Sequence, residues 1–187
     1  MQVLAVITSK VASTIKGCRR SFCSHKGNGM KLFPAIDLKK GSCVRLLRGD
    51  MDAATVFNSS PGEQAKKFER SGCQCLHVVD LDGAFAGHSV NLEAINSILE
   101  SVDVPIQLGG GIRDIKQVEF WIDQGISRII LGTAALMNPE FVKQSCVAFP
   151  GKIVVGIDAL NGLVAVNGWS ENTKITTLEL ARRFEDN

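Results

Sequence analysis

Asp37 and Asp158 stand at the ends of two apolar runs of one design, Lys31-Leu32-Phe33-Pro34-Ala35-Ile36 and Ile153-Val154-Val155-Gly156-Ile157. Each aspartate is followed four residues later by a glycine, Gly41 or Gly162, and then by a short apolar segment, Val44-Arg45-Leu46-Leu47 or Leu163-Val164-Ala165-Val166. A continuous apolar, β-branched run reads as a buried parallel strand, and the residue at its C-terminal end lies where α/β folds bind ligands. Two such strands in one barrel would point two carboxylates at one mouth, which is the equipment of general acid and base chemistry. A single strand-end Asp is as readily a turn residue. The repeated Asp-x-x-x-Gly context favours the chemical reading.

Two further stretches suit a phosphate. Gly109-Gly110-Gly111 follows one apolar run and precedes a helical pattern, so its backbone can approach an anion without obstruction by a Cβ atom. Gly132-Thr133-Ala134 repeats the arrangement one unit later and adds a hydroxyl donor. Either stretch alone is also what a tight turn looks like; adjacent in a parallel sheet they would form one cradle. Arg113 adds a cation near that mouth, or is a solvated surface residue. His77, inside an apolar run, is either a core histidine or a mouth residue. Trp169 either stacks on a flat ring or packs under its loop.

The elements that would carry these residues alternate. Apolar runs at residues 31–38, 76–81, 104–108, 128–131 and 153–157 read as strands. Between them lie helical patterns: 63–70, opened by Ser59-Ser60-Pro61; 91–100, with Leu92, Ile95, Ile98 and Leu99 on one face; one from about Asp114 to Gly125; and one opened by Asn138-Pro139. Long loops are expected through Gly49, Asp50 and Asp52, and from Asp82 to Gly87. Strands separated by single helices imply a parallel sheet with right-handed crossovers.

The 187 residues, 45% hydrophobic, suffice for one domain with a substantial core, and the net charge of +2 gives no reason to invoke nucleic acid or a membrane surface. No apolar run approaches the roughly 18 residues that a membrane span needs, so a soluble, cytoplasmic protein is expected. The six cysteines are scattered and fit a reducing compartment; Cys73-Gln74-Cys75 and the Cys18, Cys23, His25 group lack a second cluster at zinc spacing, so no metal is expected. Residues 1–29 carry Lys10, Lys16, Arg19, Arg20 and Lys26 and no acidic residue. They are expected to be an unordered basic extension outside the chemistry, with an organellar transit segment as the other reading. Residues 30–187 form the domain, and Met30 could itself be a start.

The ordered motifs Phe-Pro-Ala-Ile-Asp-Leu from Phe33, Gly-x-Cys-Val-Arg-Leu from Gly41, His-Val-Val-Asp-Leu-Asp-Gly-Ala from His77, Gln-Leu-Gly-Gly-Gly-Ile-Arg from Gln107 and Val-x-Gly-Ile-Asp-Ala from Val154 carry a specific likeness. The chain resembles the bacterial phosphoribosylformimino-aminoimidazole carboxamide ribotide isomerases of histidine biosynthesis. The resemblance implies an α/β fold of the TIM (βα)8-barrel family built from two half-barrels, in agreement with the internal repeat. It also implies an Amadori rearrangement of a phosphoribosyl aminoaldose, with no metal or organic cofactor. Asp37 matches the family's proton acceptor and Asp158 its proton donor, while Gly110, Gly111, Arg113, Gly132 and Thr133 match the phosphate grip of the first half-barrel. Arg45, His77 and Trp169 are further candidates for contact with the substrate. The related cyclase subunit of imidazole glycerol phosphate synthase typically has Cys-Leu-Asp in its first strand, where this chain has Ala35-Ile36-Asp37.

A complete barrel takes ~200 residues or more, and only about five βα units are legible here. The expectation is therefore an incomplete barrel, with the edges of its first and fifth strands unpaired and open to self-association. Activity is expected to be low unless another chain supplies the rest; the alternative is an inactive half-barrel that binds a phosphorylated ligand or a partner chain.

Overall fold

A computed structural model describes residues 5–8, 32–47, 49–166 and 171–185. The elements in chain order are β1 (Ala5–Thr8), β2 (Ala35–Lys39), β3 (Ser42–Leu47), β4 (Asp50–Asn58), α1 (Pro61–Arg70), β5 (Leu76–Asp80), α2 (Leu81–Ala86), α3 (Leu92–Ser101) and β6 (Ile106–Gly109). They continue with α4 (Ile115–Asp123), β7 (Arg128–Leu131), α5 (Thr133–Met137), α6 (Pro139–Ala148), β8 (Ile153–Ile157), β9 (Ala159–Leu160), β10 (Leu163–Val166), β11 (Glu171–Thr176) and α7 (Thr177–Arg182).

The five apolar runs form neighbouring strands in the order β2-β5-β6-β7-β8, all parallel. Side chains alternate across a strand, so the sheet has two unlike faces. One face is apolar: Ile36, Leu38, Leu76, Val78, Leu108, Ile129, Leu131, Val155 and Ile157 are buried there against Ile95, Ile98, Val118, Trp121, Val142 and Leu180 of the helices. Burying each of the larger side chains contributes ~1.5–3 kcal/mol, enough to fix every strand's register, since a slip by one residue would turn its apolar set outward. The opposite face carries Asp37, His77, Val79, Gln107, Gly109, Arg128, Ile130, Val154 and Gly156, as the paired registers require. This is the interior face of a barrel.

The helices start and stop where their ends are satisfied. Asp114 accepts from the Gln117 amide to open α4, Asn138 from the Phe141 amide to open α6, and Thr176 from the Glu179 amide to open α7. Ser60 stands at the start of α1 as expected, but its hydroxyl makes no capping bond. No helix of the described residues is long and apolar enough to cross a membrane.

Several elements lie where no strand or helix was expected, among them α5. The stretch through Asp50 and Asp52 is strand β4, antiparallel to β3, and residues 171–176 form β11 beside β10. The Asp82–Gly87 stretch is mostly the short helix α2, opened by the Asp80 carboxylate and closed by Gly87 at φ 78. Of residues 1–29, only Ala5–Thr8 are described. These four residues pair antiparallel with β8, from Ala5 opposite Ile157 to Thr8 opposite Val154.

That pairing corrects the expected open edges. The outer side of β2 is taken by β3 and that of β8 by β1, so the outermost strands of this sheet are β1 and β4.

Candidate active site

The two aspartates occupy equivalent positions in two copies of one local structure. From Asp37 the chain finishes β2, turns through Lys40 (φ 48) and Gly41 (φ 76), and returns as β3, with Lys39 opposite Ser42 and Asp37 opposite Val44. From Asp158 it runs through β9, turns through Asn161 (φ 54) and Gly162 (φ 81), and returns as β10, with Leu160 opposite Leu163. Two consecutive positive φ angles in a two-residue connection make the hairpin turn whose twist matches its strands, and glycine accepts the second angle without strain. The Asp-x-x-x-Gly signature is thus a strand-end carboxylate followed by this turn.

Both carboxylates lie on the barrel-interior face by alternation, and both are held above the ordinary carboxylate range. For Asp37 burial raises the pKa, and the Arg45 guanidinium on β3 pulls it partly back. For Asp158 loss of solvent also raises it, and no charge among the described residues opposes that. Asp158 remains open to water on one side.

The glycine loops differ from each other. A Cβ at Gly110 would run into the Asp80 backbone, and one at Gly111 into the carbonyls of Gly83 and His88. Their bare sides face protein, so close packing of two loops explains these glycines, not the unobstructed approach of an anion. Gly132 is unlike them: its Cβ position meets only the Gly156 carbonyl, at 3.9 Å. Gly132 lies next to Gly156 across β7 and β8, with Thr133 opening α5 beside it, whereas Gly156 itself is buried, its Cβ position 3.1 Å from the Ile130 side chain.

Arg113 is exposed and braces the end of α2, donating to the Ala84 carbonyl at 3.1 Å and lying against Gly87. His77 sits one register layer before Asp37, level with Ala35, in a polar chain across three strands. Arg128 donates to Gln107 Oε1 at 2.8 Å, and Gln107 Nε2 faces His77 Nδ1 at 2.7 Å. Arginine is always a donor, so the Gln107 oxygen accepts, its amide nitrogen donates, and His77 Nδ1 must accept. Protonating Nδ1 would set donor against donor, and burial together with the Arg128 charge lowers the His77 pKa to about 4. His77 is therefore a neutral, bonded histidine at the amino ends of the strands. Arg128 also stacks on the Phe33 ring, 5.3 Å from its centroid. Trp169 lies outside the described residues.

Sequence reasoning missed Asp80 and Asn91. Asp80 is fully buried and accepts from the Gly83 amide (2.8 Å), the Val90 amide (2.7 Å), the Asn91 amide (3.1 Å) and Asn91 Nδ2 (2.7 Å). A charge is tolerated there because those donors replace its water. The signal was an Asp inside an otherwise apolar strand; its partners, up to eleven residues on, were not visible.

A parallel, helix-covered sheet whose interior face carries carboxylates at the C-terminal ends of its strands is a TIM-barrel type of α/β fold, the class in which strand ends hold the chemistry. The family model described as "Histidine biosynthesis protein" matches residues 31–187, and the chain belongs to that family. Among curated relatives, proteins named 1-(5-phosphoribosyl)-5-((5-phosphoribosylamino)methylideneamino)imidazole-4-carboxamide isomerase are similar over 157 residues, 84% of this chain. The one from Rhodospirillum rubrum is 57% identical over 65% of its own length, that from Rhodopseudomonas palustris strain BisB5 60% over 64%, and that from Paracoccus denitrificans 57% over 66%. The chain thus spans slightly less than two thirds of the length of these relatives.

Proposed function

We propose that this chain carries the acid and base of the reaction for which its relatives are named, the isomerisation of a phosphoribosyl aminoaldose to the aminoketose. Asp158, as the carboxylic acid, gives a proton to open the ribose ring. Asp37, as the carboxylate, removes the C2 proton so that the double bond migrates. The observation that carries this reading is the unequal treatment of two raised carboxyls on one face. Burial raises both, and among the described residues a cation, Arg45, draws Asp37 partly back toward its ionised form while none does so for Asp158, the direction that a base at Asp37 and an acid at Asp158 would need. An acid and a base must differ in this direction to work at one pH.

For the substrate's phosphate, the open backbone at Gly132 and the Thr133 hydroxyl are the best candidates, since donors there have no side chain in front of them. Gly110 and Gly111 support the loop from behind. Arg113 contributes charge at long range while it holds α2.

A coupled assay of the chain with the phosphoribosylamino substrate tests the proposal, beside the Asp37→Asn and Asp158→Asn variants. Turnover that either substitution removes is expected. Turnover unchanged in either variant contradicts it.

A further inference from the structure

Asn91 stands at the position that would cap α3, yet its side chain makes no bond to that helix. Instead its Oδ1 accepts the Gly41 amide at 2.7 Å, and its Nδ2 donates to Asp80 Oδ1 at 2.7 Å and to Asp82 Oδ2 at 2.9 Å. Asp82 Oδ2 also accepts the Lys40 amide at 2.6 Å. The amide orientation is fixed by these partners, because only its oxygen can serve a backbone N–H and only its nitrogen can serve two carboxylates. Asn91 is buried, so each of these bonds counts for more than it would at the surface.

Both amides of the Lys40-Gly41 turn are therefore held by the segment between β5 and α3, about fifty residues away in sequence. Water satisfies turn amides at the surface, so the hairpin's folding does not require this arrangement. Its consequence is geometric. Asp37 precedes the turn by three residues and Arg45 follows it by four, and clamping the turn fixes how the strands carrying them leave it. The same Asp80 turn packs against Gly110 and Gly111, so the clamp is seated on a rigid base. The equivalent turn at Asn161-Gly162 shows, among the described residues, only a backbone bond from the Thr177 amide to the Gly162 carbonyl.

We propose that Asn91 is a positioning residue: it holds the Lys40-Gly41 turn against the buried Asp80 turn and thereby keeps the Arg45 strand in register beside Asp37. The inference rests on the reading of Asp37 as the base, but its test needs no turnover, so the two can fail separately. Among the described residues, the charged groups on the elements beside Asp37 are Arg45 on β3 and Lys39 on its own strand; β5 offers Val79 at that level.

The experiment compares the whole chain with its Asn91→Ala variant by amide hydrogen exchange and by NMR titration of carboxyl-labelled aspartate. Exchange at Lys40 and Gly41 is expected to quicken by about tenfold or more, as for the loss of one buried hydrogen bond, while Ile129 and Leu131 are unchanged. The Asp37 titration is expected to move to higher pH as Arg45 drifts away, with Asp158 unmoved. A merely structural loss would move both aspartates alike or neither. Where Asn91→Ala does not fold, Asp82→Ala decides, since it removes the partly exposed acceptor that the Lys40 amide and Asn91 Nδ2 share. Unchanged exchange at Gly41 in Asn91→Ala or at Lys40 in Asp82→Ala, or an Asp37 titration that stays in place in the variant that folds, overturns the proposal.

Discussion

The Asp37 and Asp158 regions share a strand, a carboxylate and a turn of the same hand, and differ in everything attached to them. The Asp37 turn is clamped by Asp82 and Asn91, and the charge of Arg45 on the next strand acts on its carboxyl. On the Asp158 side no charge among the described residues opposes the rise of the carboxyl, and Gly132 on the neighbouring strand leaves its Cβ side open. One local design thus yields two carboxyls of unlike tendency. The backbone repeat sets where each carboxyl stands, and its non-repeated neighbours set how it titrates.

The largest expected effect is on turnover. Replacing either aspartate by asparagine should lower kcat by ~10²–10⁴-fold, the range for losing a general acid or base. The pH profiles should then separate the two sides. The limb on which activity is gained with rising pH belongs to the base, Asp37, and the limb on which it is lost belongs to the acid, Asp158. A variant at Asp37 that alters only the alkaline limb would reverse the assignment.

The two glycine loops offer the next contrast. Gly110→Ala drives a methyl group into the Asp80 backbone at a positive φ and should destabilise the fold by ~2–4 kcal/mol in urea unfolding. Gly132→Ala has room and should change stability by less than about 1 kcal/mol, while weakening binding of inorganic phosphate measured by calorimetry. Equal destabilisation by the two would remove the distinction between a packed loop and an open one.

His77 lies beneath the aspartates and should separate stability from chemistry. Its folded pKa of about 4 lies below the ordinary 6.5, so between those values the unfolded chain binds the proton and the folded chain does not. Stability is therefore full above about pH 6.5 and falls as pH drops toward 4, by ~2–3 kcal/mol in all. His77→Gln, which still offers an acceptor to Gln107, should flatten that slope. A slope that persists in the variant would place its origin elsewhere.

The smallest effect concerns the aspartates' own weight in folding. Raised carboxyls favour the protonated folded state, so their ionisation opposes folding as pH rises through their folded values and is relieved as pH falls. Asp158→Asn should therefore raise Tm at neutral pH by ~1–2 °C. Asp37→Asn should gain less, because it also loses the attraction of Arg45.

Much of this was legible in the residues. The five parallel strands announced themselves as unbroken apolar runs, and the Asp-x-x-x-Gly repeat gave both turns. β4 and β11 were not legible, because Asp50, Asp52, Glu171, Asn172 and Lys174 dilute the β-branched residues within them. The reason for Gly110 and Gly111 was hidden as well: a glycine needed for packing and one needed for access read alike until the neighbouring loop is placed. Asn91 looked like an ordinary helix start. Its partner Gly41 lies fifty residues earlier, and only the fold brings the two together.

The division between the two sides is tested most directly by titrating carboxyl-labelled aspartate in the intact chain by NMR and reading Asp37 and Asp158 separately. Both should ionise above the ordinary carboxylate range, and Arg45→Gln should move Asp37 further upward and leave Asp158 in place. An Asp37 titration that ignores Arg45→Gln, or both aspartates titrating as exposed carboxylates do, would contradict the account.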